Sequence, residues 1–127
     1  MEQHFWQKSY QEGVAHNIDP TKYHSVVEMF EESFEKFKDR PAFHNMGKTL
    51  KFSELDKLSL SFASYLQNDL ELSPGDSIAL MMPNILQYPI CLFGALRAGL
   101  KVVNVNPLYT ARELEHQLND SEAKAIV

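Results

Sequence analysis

The chain has 127 residues, 44% of them apolar and 23% charged, with 17 acidic against 12 basic side chains and a formal charge of −5. This is the composition of a folded chain of one ordinary domain's length, and it excludes a disordered or low-complexity segment. Acidic and basic residues are interspersed, so there is no basic face to release counterions from a phosphate backbone, and no nucleic-acid partner is expected.

Residues 1 to 24 are polar with scattered aromatics (Phe5, Trp6, Tyr10, Tyr23) and contain Pro20, which predicts an irregular arm. They lack the continuous apolar run of a secretory signal. From Ser25 onward Val27, Phe30, Phe34 and Phe37 recur at helical spacing. Ser25 and Glu28 fit a capping box, and Pro41 forces a stop near Asp39. "AFHNMGKTLKF" predicts a hairpin that turns at Gly47. Ser53 is expected to cap a second helix whose buried face is Leu55, Leu58, Phe62 and Leu66.

"SPGD" (Ser73 to Asp76) is a turn, and "SIALMM" is a short strand ended by Pro83. Ile85 to Ala98 is apolar nearly all round, which predicts a helix buried on more than one side and capped at Gly99. Its apolar stretch, Ile85 to Leu96, is too short to span a bilayer, and a soluble chain is expected. "KVVNVN" is the next strand. Thr110 and Glu113 form another capping box, Leu114 and Leu118 mark the buried side of a fourth helix, and "AKAIV" begins a last strand. Strand, helix, strand, helix, strand from Ser77 onward predicts an α/β fold: a small β-hairpin plus a β-α-β-α-β parallel sheet flanked by helices.

Candidate chemistry is sparse. His4, His16, His24, His44 and His116 never share a helical face with a second ligand, so surface or hydrogen-bonding roles are expected and no metal site is assigned. Cys91 is the only cysteine. No intrachain disulfide or thiolate cluster is possible, a reducing compartment is the simplest assumption, and a thiol inside an apolar helix reads as inert. Glu31 and Glu32 fall on the wet face of the first helix, where solvation is the default. "GALRAGLK" (Gly94 to Lys101) is the nearest approach to a phosphate cradle. It fails on spacing and context, and helix packing at Gly94 with a cap at Gly99 explains both glycines. Two loops follow parallel strands on the edge where ligands gather: "MMPN" (Met81 to Asn84) and "NPLYT" (Asn106 to Thr110). Tyr109 could line a ligand channel there, although turn formation and capping account for the same residues. No catalytic, cofactor-binding or metal-binding residue is assigned.

"LKFSELDKLSLSFASYL" (Leu50 to Leu66) and "LRAGLKVVNVNP" (Leu96 to Pro107) resemble the first two sequence boxes of the adenylate-forming ligases. "ALMMPNILQYPICLFGALRAG", "VVNVNPLYTARELEHQLNDSEAKAIV" and "NIDPTKYHSVVEMFEESFEKFKDRPAFHNMGKTLKF" are similar to the bacterial long-chain fatty-acid CoA ligases within them. Two positions depart from that pattern: Ala111 stands where the family usually has proline, and Glu122 where it commonly has glycine. The resemblance implies that the chain is the N-terminal portion of a longer enzyme: residues 1 to 24 an arm, and 25 to 127 the early part of the large AMP-binding domain. The enzyme would activate fatty acids with ATP and magnesium to acyl-AMP and transfer the acyl group to CoA, while this portion, lacking the phosphate loop, is expected to be inactive and to bind no cofactor itself. Its partners would be the remainder of its own chain, with a homodimer through the N-terminal region as a further option. Its location would be cytoplasmic, with peripheral contact to the inner membrane as an option. The alternatives are a piece of another acyl- or aryl-CoA synthetase, or a stand-alone interaction module of similar fold.

Overall fold

Ser25 begins the regular structure. In the computed structural model, which describes residues 4–127, its hydroxyl accepts from the Glu28 amide (3.1 Å) and opens helix α1, Val26–Lys36. Only half of the expected capping box forms. The Glu28 carboxylate reaches one residue further back, to the amide and ring of His24 (2.7 and 3.0 Å). These bonds stabilise its ionised form and hold the Glu28 carboxyl below its usual range. Ahead of α1 the arm has one short 3₁₀ turn, Phe5–Ser9, folded on the Gln7 side chain, which accepts from the His4 amide. Residues 1 to 3 of the expected arm lie outside the described residues.

Strands β1 (Pro41–Asn45) and β2 (Lys48–Lys51) pair as an antiparallel hairpin. Met46 (φ 46°) and Gly47 (φ 76°) both take positive φ, the geometry of a two-residue turn that follows strand twist. Helix α2 (Phe52–Asn68) starts earlier than expected: Lys51 is its cap, Ser53 lies inside the first turn, and the Glu54 carboxylate accepts from the Lys51 amide at 2.9 Å. Its buried face is Leu55, Ser59, Ala63 and Leu66. Leu58 is exposed, so the expected stripe was rotated at one position, and the residue that takes the inner place is a serine. Ser59 is tolerated there because its hydroxyl donates to the Asp56 carbonyl (3.0 Å) and accepts from Arg97 (3.0 Å).

The second sheet contains β3 (Ser77–Leu80), β4 (Lys101–Asn104) and β5 (Ala123–Ile126), all parallel, in the order β4-β3-β5. Every residue of central β3 is buried. Helix α3 (Gln87–Arg97) joins β3 to β4 and α4 (Ala111–Asp120) joins β4 to β5. The two crossovers run in opposite directions across the sheet, so right-handed connections put the helices on opposite faces. On the α3 face Ile78 and Leu80 pack with Ala63, Leu66, Cys91, Ala95 and Ala98. The α4 face is covered more thinly. No residue of α4 is fully buried, and Leu114 and Leu118, expected as its inner side, are half-buried.

Apolar residues form a second cluster away from the sheet, with Phe30, Phe34, Leu50 and Leu55 at its centre and Phe52, Ile90 and Phe93 around them. Helix α3 therefore touches both clusters, which is why its sequence is apolar on more than one side. It ends in a Schellman motif: Gly99 (φ 78°) donates to the Leu96 carbonyl and Leu100 to that of Ala95, each at 3.0 Å.

Candidate functional site

In an order of β4-β3-β5 the chain switches direction at β3, and ligands of open parallel sheets gather beyond the carboxyl ends at such a switch. The loop after β3 is Met81 to Asn84, one of the two segments singled out in the sequence. Here Pro83 accepts from the Ile85 amide (2.8 Å) in a tight turn that delivers the chain to α3. The Asn45 side-chain amide, on the hairpin, donates to the Asn84 carbonyl at 2.9 Å. An open cleft of about 390 Å³ lies between hairpin and loop, with Phe43, Asn45, Asn84, Leu86, Tyr88 and Pro89 in its walls.

Asn104, the last residue of β4, organises the same edge. Its side-chain oxygen accepts from the Tyr88 hydroxyl (2.8 Å) and its carbonyl from the Gln117 side-chain amide (3.0 Å), so α3 and α4 are both tied to one strand end. The Gln117 Oε1 atom is buried without a hydrogen-bond partner. Sequence reasoning did not find Asn45, Tyr88, Asn104 or Gln117. They are far apart in the chain, and only the crossovers bring them to one edge.

In the second loop Asn106 makes an Asx turn, its side-chain oxygen accepting from the Leu108 amide (3.0 Å), and Thr110 and Glu113 form the full reciprocal cap expected of them. Hydrogen bonds from the Thr110 hydroxyl and amide hold the Glu113 carboxyl below its usual range. Tyr109 lies beside Glu113, His116 and Asp120 over a shallow depression on α4. Turn formation and capping thus account for this loop without a ligand.

Of the remaining candidates, His44 stands in the wall of the cleft and the others sit elsewhere. A Cβ on Gly94 would meet the Ser59 carbonyl at 2.7 Å and Phe62 at 2.8 Å, so this glycine serves close α2–α3 packing, while Gly99 serves the cap. Cys91 is buried, and burial pushes its thiol above the usual range, where the nucleophilic thiolate is scarce. His24 pairs with Glu28, His44 Nδ1 is 2.8 Å from Thr49 Oγ1, and His4 stacks on Trp6. His16 stands edge-on to Tyr10, and His116 lines the depression by Tyr109.

Glu31 is exposed, as expected of the wet face of α1, but it also reaches Arg97 Nε at 3.2 Å, and the Arg97 side chain is only 8% exposed. The guanidinium also binds the Asp56 carboxylate, donates to the Asp56 carbonyl (2.8 Å), and lies over the rings of Phe30 and Phe34 (5.6 and 5.3 Å). Nothing in the local sequence marks Arg97 as buried, because its partners come from two other helices.

Chemically the carboxyl edge offers side-chain amides, a phenol, the His44 imidazole and apolar walls. It suits orientation by hydrogen bonding and shape. Among the described residues no three of His, Cys, Asp and Glu come together as metal ligands. The donor set at the cleft does not fit a magnesium triphosphate, and no chemical step is assigned to it.

In architecture the chain matches the N-terminal subdomain of Klebsiella oxytoca NpsA, solved in complex with 3-hydroxyanthranilyl-AMSN, with a TM-score of 0.76 and 24% identity over 80% of this chain and 26% of that one. The same fold is shared with a benzoate CoA ligase from Burkholderia xenovorans LB400, at a TM-score of 0.74 and 27% identity over 79% of this chain and 20% of that one. At the sequence level the family described as AMP-binding enzyme matches residues 30–127, and the chain belongs to that family. It is 59% identical to the long-chain-fatty-acid--CoA ligase of Yersinia pestis and 58% identical to that of Escherichia coli O6:H1, over 96% of its own length. It spans 22% of the length of each.

Proposed function

We propose that this chain is the N-terminal portion of a long-chain fatty-acid CoA ligase. The observation that carries the reading is its 58–59% identity, over 96% of its length, to proteins of that name. The intact enzyme joins a fatty-acid carboxylate oxygen to the α-phosphorus of ATP with loss of pyrophosphate. The CoA sulfur then attacks the acyl carbonyl of the resulting acyl-AMP, and AMP leaves. Magnesium, held by residues of the longer enzyme, would neutralise charge on the phosphates. The portion described here is scaffold: β3, β4 and the covering helices hold one wall of the large domain, and the Asn104 bonds to Tyr88 and Gln117 fix its loop edge.

By itself the chain neither adenylates a fatty acid nor binds ATP tightly. Its partners are the rest of its own polypeptide and, through the aromatic residues of the arm, a second copy of the enzyme. It works in the cytoplasm, with peripheral contact to the inner membrane as an option. Calorimetric titration of the 127-residue chain with ATP and magnesium tests the division of labour. No saturable heat is expected, and a micromolar dissociation constant would overturn it.

A further inference from the structure

The family match begins at residue 30, inside α1, so the arm and the first turn of α1 lie ahead of it. Whatever precedes residue 30 is mounted on the domain through the rest of α1. That helix packs by Phe30 and Phe34 into the second apolar cluster, not into the sheet core. Beside this contact a cleft of about 410 Å³ opens between α1 and α2, walled by Val27, Leu60, Ala63, Ser64 and Gln67 with Arg97 at its edge. Close packing of α1 centres on the strip around Phe30, Phe34 and Arg97, with Val27 against the same cluster and Phe37, at the end of the helix, against Phe52.

Arg97 reaches three helices at that strip. It stands at the end of α3, binds Asp56 and Ser59 of α2, and meets Glu31 of α1 while its guanidinium lies over Phe30 and Phe34. A planar fork with several donors can serve these partners together, and an ammonium cannot. The two carboxylates are equally exposed, but the attachments are unequal. Asp56 is engaged by charge and by its carbonyl, whereas Glu31 offers Nε a 3.2 Å contact that leaves this buried N–H without an aligned hydrogen bond.

We propose that Arg97 is a latch: it is held permanently by α2 and releasably by Glu31, so that α1 and the arm it carries can leave the α2–α3 pair as a unit while the sheet core stays folded. Separate apolar clusters permit such sub-global opening, because the sheet core keeps its own contacts when the other loosens.

Native-state hydrogen exchange of the 127-residue chain tests this. Glu31→Gln removes the weak arm of the latch and should speed exchange of the α1 amides from Phe30 to Lys36 about three- to fivefold, with those of Ile78 to Leu80 unchanged. In an Arg97→Met background, where the charge to be matched is gone, the same substitution should have no further effect on α1. Unchanged α1 exchange in Glu31→Gln overturns the latch. So does equal acceleration in α1 and β3, which would mean a single cooperative unit, and so does an undiminished Glu31→Gln effect in the Arg97→Met background.

Discussion

Glu122 sits at φ 50°, in the left-handed region where a side chain crowds the backbone. The resemblance had marked this position as one where glycine is common, and the strain is visible only once the turn between α4 and β5 is built. Glu122→Gly should raise stability by roughly 0.5–1 kcal/mol, the relief of strain exceeding glycine's extra freedom in the unfolded chain. Thermal melting of the two proteins measures it. Gly94 has the opposite character. Its neighbours include a backbone carbonyl that cannot step aside, so Gly94→Ala should cost about 2–3 kcal/mol by the same measurement. That glycine's packing role was legible because it stands in an apolar helical run, and its close neighbours on α2 were not. The exchange of Leu58 for Ser59 on the inner face of α2 has the same origin: apolar spacing suggests leucine, but a serine fits where Arg97 and the Asp56 carbonyl satisfy its hydroxyl.

Helix α4 has little burial to hold it, so its cap carries unusual weight. The Thr110 cap is intact, and the Glu113 carboxyl is depressed by its hydrogen bonds to Thr110. A carboxyl depressed in the folded state contributes stability that is fully present above its ordinary value and lost as pH falls through the folded one. Glu113→Gln should therefore remove part of the acid-side loss of α4 helicity, measurable by exchange at Leu114 to Leu118 between neutral pH and pH 3. Ala111, the first helical residue, follows a Thr110 whose φ of −67° and ψ of 161° already suit a succeeding proline. Ala111→Pro is expected to stabilise by about 0.5 kcal/mol, since the amide it removes has no partner within the helix. Strands and helices here were readable because each carries its own period, cap or breaker. The start of α2 was misplaced by two residues, because Ser53 resembles a cap by type, while the Glu54 carboxylate in fact serves Lys51.

At the scale of the whole molecule two apolar clusters share helices α2 and α3, and the apolar circumference of α3 was the only hint of this in the sequence. The carboxyl edge of the sheet was found in outline, from the loops after β3 and β4. The side chains that bond across it were not, because the juxtaposition of Asn45, Tyr88, Asn104 and Gln117 is a product of chain crossover. In the proposed function this edge of amides, an imidazole and apolar walls is a scaffold for chemistry supplied elsewhere in the longer enzyme. The most direct measurement of that claim is a chimera in which this chain replaces the matching residues of the Escherichia coli O6:H1 long-chain-fatty-acid--CoA ligase. The account predicts ATP-dependent palmitoyl-CoA formation within about tenfold of the parent. A folded chimera that forms no thioester from palmitate, or that has turned to aryl acids, would contradict it.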